Sequence, residues 1–142
     1  MRDKCMIVAE MSANHNGKKE TAIETVRAAK RAGADAVKLQ TYRADTITLR
    51  CDKPDFIINE GSIWDGQYFY DLYEQAYTPW EWHEELFHVA KEEGLICFSS
   101  PFDKTAVDML EALLHSGRRG EQGIIFLASE TRIGRAGLVC GQ

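Results

Sequence analysis

The sequence predicts an α/β fold of parallel β/α units, and three observations carry that prediction. Short β-rich runs alternate with stretches of helical periodicity. The strand runs are apolar almost throughout, as strands covered on both faces are. Glycines stand where the first two helices should stop, and a Thr-Pro pair stands where the second should start.

The first strand is read at Cys5 to Ser12, "CMIVAEMS". The helix after it, "ETAIETVRAAKRAG", places Ala22, Ile23, Val26 and Ala29 on one face, and Gly33 stops it. "DAVKLQTY" is the second strand. Arg43 to Tyr77 is long for a β-to-α connection and is expected to be an irregular lid or binding loop. "TPWEWHEELFHVAKEEG" follows as the second helix, with Thr78 as N-cap, Pro79 at the first helical position, Glu81 closing a capping box and Gly94 ending it. "LICFSS" (Leu95 to Ser100) is the third strand and "KTAVDMLEALLH" the third helix. "GIIFLAS" (Gly123 to Ser129) is a fourth strand.

At 142 residues the chain holds one domain with room for a core. With 44% hydrophobic and 27% charged residues it is globular rather than disordered. No apolar run reaches bilayer length, and Glu10 interrupts the apolar stretch after Met1, so neither a membrane span nor a signal peptide is expected and the location is read as cytoplasmic. The net charge of -5 argues against nucleic acid as a partner, and it requires local positive charge to hold any anion. Cys5, Cys51, Cys97 and Cys140 form no C-x-x-C pair and are read as free thiols.

Strand alternation puts Val8, Glu10 and Ser12 on one face, and Lys38, Gln40 and Tyr42 on one face of the next strand. If that polar face looks to the axis of a closed (β/α) barrel, then Glu10, Lys38 and Gln40 converge. The strands also run into "SANHNG", "QTYRAD" and "SSPFD" at their C-terminal ends, the edge at which such sheets bind ligands. A buried ammonium needs a carboxylate or an anion beside it. Residue pattern alone leaves Lys38 open between an ion pair with Glu10, a phosphate ligand, an imine-forming lysine and a side chain reaching solvent near a strand end. His15, between Asn14 and Asn16, suits substrate contact or a solvated loop. His83 and His88 are read as surface or packing residues, and Trp80, Trp82 and Phe87 as packing. "SSPFD" offers an anion cradle at a helix N-terminus, or simply a cap from Asp103 or a serine.

"IVAEMSANHNG", "GADAVKLQTY", "YTPWEWHEELF" and "GLICFSSPFD" resemble the N-terminal half of the sialic acid synthase family, and the stretch from Asp52 to Phe87 is similar to its pseudaminic acid synthase branch. The resemblance runs from about Ile7 to Leu114. It implies the N-terminal part of a (β/α)8 TIM barrel, three to four β/α units. It further implies condensation of phosphoenolpyruvate with an N-acetylated amino sugar, a diacetamido-trideoxy-altrose in the pseudaminic branch. In that chemistry C3 of phosphoenolpyruvate attacks the open-chain aldehyde, polarised by a divalent metal (manganese or magnesium). Water then adds at C2 and phosphate leaves by C–O cleavage.

Carried over motif by motif, the resemblance implies that Glu10 contacts the sugar and handles protons near the aldehyde. It implies that Lys38 binds phosphoenolpyruvate, Gln40 orients the sugar, Ser100 meets the phosphate, Phe102 shapes the pocket, and Asn14 and His15 line the mouth. The catalytic pair is then Glu10 and Lys38.

The departures concern the rest of the chain. A complete barrel of this type takes roughly 250 residues. Residues 1–142 are read as a truncated or frame-disrupted barrel domain, 1–114 family-like and 115–142 a divergent tail, without the family's C-terminal antifreeze-like domain. The family's metal-binding histidines belong to later strands, so none of the four here is a metal ligand. Family members homodimerise, a habit tied to that absent domain. Open strand edges lead to the expectation that the isolated chain self-associates. Besides the synthase, two alternatives stand: a Schiff-base barrel aldolase, and a catalytically inert binding or assembly module.

Overall fold

The structure, a computed structural model, describes residues 5–115. The expected fourth strand, Gly123 to Ser129, the tail beyond residue 115, and Cys140 lie outside the described residues.

Three parallel strands form one sheet in the order β1 (Val8–Glu10), β2 (Ala36–Thr41), β3 (Ile96–Pro101). The register pairs Glu10 with Lys38 across β1–β2, and pairs Lys38 with Phe98, Gln40 with Ser100 and Thr41 with Pro101 across β2–β3. The first helix, α1 (Lys19–Arg31), connects β1 to β2. Gly33, at φ 88°, ends it in the left-handed conformation that only glycine adopts at no cost. Ala22, Val26 and Ala29 are the buried face read from the sequence, with Ile23 packed at its margin.

The connection from β2 to β3 is not irregular. It contains a short helix α2 (Ala44–Ile47), a 3-10 turn (Pro54–Phe56) and the aromatic helix α3 (Phe69–Ala76). A second 3-10 turn (Trp80–Trp82) then runs into α4 (His83–Glu92). The Thr78 capping box is a correction: no side chain caps either the turn or α4. The Thr78 hydroxyl is instead buried beside the His15 ring, Oγ1 to Nε2 3.4 Å. The tertiary partner wins over the local capping signal. After β3, α5 (Lys104–His115) follows the boundaries read from the sequence.

The core lies between the sheet and its helices. Val37, Leu39 and Cys97 pack with Ala22 and Val26 of α1, Leu86, Phe87 and Ala90 of α4, and Leu110 of α5. These are the alternate positions of β2 and β3. Lys38 and Gln40 therefore project from the face away from the helices. β1 is shorter than expected. Its start is fixed by the Asp35 and Ala36 amides donating to the Ile7 carbonyl, and Ser12 breaks the extended run at φ 47°.

Candidate functional site

The helix-free face of the sheet carries the charged pair. Lys38 Nζ lies 2.6 Å from Glu10 Oε2, with the two side chains 29% and 37% exposed. The contact follows from the parallel register, which sets the two Cα atoms opposite one another. A partly exposed pair of this kind contributes about 0–1 kcal/mol to stability. Next along the strands, Gln40 and Ser100 are register partners on the same face, both partly exposed. Phe98 adjoins Lys38 in the row and is 5% exposed, an apolar neighbour that the sequence reading did not single out.

At the C-terminal edge, the Phe102 amide donates to the Thr41 carbonyl (3.1 Å), extending the ladder by one bond. The Phe102 ring packs edge-on against Tyr42 (5.4 Å), and Tyr42 against Tyr73 of α3 (5.9 Å). Tyr42 was read as a member of the polar face, yet it is buried. Burial, with a smaller contribution from Tyr73, raises its phenol to about 12, so it stays protonated. The Trp80 indole N–H donates to the Tyr42 carbonyl (3.1 Å) and Arg43 stacks over the Trp80 ring at 4.1 Å. Trp82 and Phe87 pack with the core, as expected.

The loop after β1 places Asn14 and His15 differently from one another. Asn14 is exposed, its amide group donating to the Met11 carbonyl (2.9 Å). His15 is fully buried, which corrects both readings of it, the mouth and the solvated loop. Its Nδ1 accepts the Gly17 amide (3.1 Å), so Nε2 carries the proton and faces Thr78. The ring meets Trp82 edge-on at 5.5 Å. Burial holds this imidazole below its usual range, opposed by the Ala76 carbonyl. His15 pins the loop rather than lining an opening.

The helix N-terminus after "SSPF" is already filled. Asp103 Oδ1 accepts from the Thr105 amide (2.7 Å), the Thr105 hydroxyl (2.6 Å) and the Ala106 amide (3.3 Å). Burial works to raise this carboxyl. Hydrogen bonds from Thr105 and Thr46 outweigh it and keep the group below the ordinary carboxylate range. Of the two readings left open for this segment, capping by Asp103 is the one found.

His83, read as a surface or packing residue, is fully buried, as are Thr41 and Ser99, two hydroxyl residues that sequence reasoning passed over. Their signal was present: hydroxyl residues at helix-facing strand positions, where Val or Leu is usual. Among the described residues, no group of three His, Cys, Asp or Glu side chains could hold a metal ion. The one carboxylate in the row, Glu10, is engaged by Lys38.

A parallel β/α sheet with an acid, a cation, an amide and a hydroxyl along its helix-free face defines an α/β protein whose strands and helices fit part of a barrel. The chain belongs to the NeuB family, whose family model matches residues 25–116. It is 54% identical over 108 residues to the pseudaminic acid synthase of Campylobacter jejuni, covering 76% of this chain and 31% of that protein. It is 50% identical over 107 residues to the pseudaminic acid synthase of Helicobacter pylori, covering 75% and 31%. The chain thus spans about a third of the length of these relatives. The fold matches the crystal structure of an N-acetylneuraminic acid synthetase from Leptospira borgpetersenii in complex with citrate. There the TM-score is 0.61 at 22% identity, covering 78% of this chain and 34% of that one.

Proposed function

We propose that this chain carries the phosphoenolpyruvate-facing part of a nonulosonic acid synthase site of the pseudaminic type, in the first part (residues 1–114) of a barrel domain. The observation that carries the reading is the Glu10–Lys38 contact, in register with Gln40 and Ser100 on the open face of the sheet. Likeness to pseudaminic acid synthases over three quarters of the chain supports the substrate class.

In this reading the Lys38 ammonium holds the phosphoenolpyruvate anion and the Ser100 hydroxyl donates to its phosphate. Gln40 orients the N-acetylated amino sugar, Glu10 handles a proton beside the aldehyde, and Phe102 and the exposed Asn14 border the opening. C3 of phosphoenolpyruvate attacks the aldehyde carbon, whose oxygen takes up a proton, water adds at C2 and gives up its protons, and phosphate leaves by cleavage of the C2–O bond, carrying the bridging oxygen. A cation and donors fixed before the anion arrives need no rearrangement during reaction. The described residues do not assemble a divalent-cation site. The setting is cytoplasmic, and the working form is a homodimer, as the family resemblance implies. No helix among the described residues is long and apolar enough to cross a membrane.

Imine chemistry fits Lys38 less well. An imine-forming lysine sits in a desolvated apolar seat, whereas Lys38 is partly exposed and in contact with a carboxylate. The test is titration of phosphoenolpyruvate into the chain, followed by calorimetry, alongside phosphate release with the diacetamido-trideoxy-altrose. Binding is expected, weakened about tenfold or more in Lys38→Met, a loss of about 1.4 kcal/mol. Equal binding by both proteins, or none by the unmodified chain, overturns the reading and leaves the inert module in its place.

A further inference from the structure

The helix-facing side of β2 is apolar at Val37 and Leu39 and turns polar at Thr41, one residue past Gln40. Beside it on β3, Ser99 immediately precedes Ser100. The Thr41 and Ser99 hydroxyls meet at 2.6 Å, and Thr41 Oγ1 lies 2.9 Å from His83 Nε2. His83 Nδ1 lies 3.2 Å from the Pro79 carbonyl. All three side chains are fully buried.

The hydrogen-bond directions follow from the end of the chain. A carbonyl only accepts, so Nδ1 carries the proton. In the neutral ring Nε2 then accepts from Thr41, and Thr41 accepts from Ser99. The order is Ser99 to Thr41 to His83 to the Pro79 carbonyl, with one donor per link. Each such group left unmet in the interior costs about 1–3 kcal/mol, so the set is kept together or lost together. Apolar side chains fill this kind of space more cheaply, as they do one turn of the pleat earlier. What a hydrogen-bonded set adds is direction: it fixes strand rotation and spacing where packed methyl groups tolerate sliding.

We propose that His83 is a positioning residue that acts through Thr41 and Ser99. From behind the sheet, this buried set holds β2 and β3 so that Gln40 and Ser100 keep their geometry at the mouth. The role of those two side chains rests on the function proposed above; their placement does not. The Thr41 carbonyl also receives the Phe102 amide, so the same clamp reaches the rim. Through Pro79 it ties the end of the β2–β3 connection to the site it borders.

The experiment compares the unmodified chain with Thr41→Val, which deletes the hydroxyl at constant shape, and Thr41→Ser, which keeps it. The ligand-free reading is nuclear magnetic resonance of the Gln40 side-chain amide and the Ser100 backbone amide, with the His83 ring followed for its Nδ1–H tautomer. Both amide signals are expected to shift or split in Thr41→Val and to return in Thr41→Ser. Melting temperature alone does not make that distinction. Unchanged Gln40 and Ser100 signals in Thr41→Val, or an Nε2–H tautomer at His83, overturn the proposal. Should Thr41→Val not fold, Ser99→Ala removes only the terminal donor and is read in the same way.

Phosphoenolpyruvate titration forms the second arm, with an affinity about tenfold weaker expected in Thr41→Val and restored in Thr41→Ser. An unmodified chain that fails to bind overturns the function proposed above, while the ligand-free signals still decide the positioning role.

Discussion

The two faces of β2 differ in what they ask of their residues. Toward the helices, Val37 and Leu39 are fully buried in a shared core. Toward the helix-free side, Lys38 and Gln40 stay partly exposed, and Lys38 contacts the Glu10 carboxylate on the neighbouring strand. The first face supplies stability through area and close packing, the second supplies charge at almost no net stability. Alternate residues of one six-residue strand thus divide packing from charge.

The strongest way to break this contrast is Leu39→Ala, which empties a fully buried site among three helices. It is expected to cost about 2–5 kcal/mol in urea unfolding. A loss near zero would mean that the helix-facing side is not the stabilising one. Asp103→Ala comes next, with about 1 kcal/mol expected for a lost N-cap, read in the same assay. Glu10→Gln, Lys38→Met and their double variant sharpen the other side. Their coupling in stability should stay below about 1 kcal/mol, while phosphoenolpyruvate affinity falls in every variant lacking Lys38. A coupling of several kcal/mol would recast the pair as structural.

The smallest effect concerns pH. His15 is held below its usual value in the folded chain, so the unfolded chain takes up a proton first as pH falls. Its contribution is therefore fully present above about pH 6.5 and is lost as pH drops through the lower folded value. Urea midpoints measured across that window should decline in the unmodified chain and flatten in His15→Gln. An unaltered decline would assign it to other groups.

Much of this was legible in the sequence because it is local. The α1 face repeats every third or fourth residue, Gly33 and Gly94 both adopt positive φ, and strand alternation placed Glu10, Lys38 and Gln40 on one side. What was missed depends on partners distant in sequence. Thr78 carries the mark of a helix cap, but its hydroxyl is turned to a ring 63 residues earlier. His15 reads as a loop residue, and only the arrival of Trp82 and Thr78 encloses it. The helix α3 escaped notice because three of its eight residues are aromatic and no side chain caps its start. Thr41 and Ser99 look interchangeable with their serine and threonine neighbours until the fold shows which of them face inward.

The parallel register also makes a one-residue slip costly. Side chains along a strand alternate, so sliding β2 by a single residue against its neighbours would thrust Lys38 among leucines and valines and turn Leu39 outward to water. A charge without company in that interior is far too expensive to tolerate. The ammonium therefore proofreads the alignment of its own strand: misthreaded chains are penalised by the same group that rests against Glu10 in the correctly threaded one.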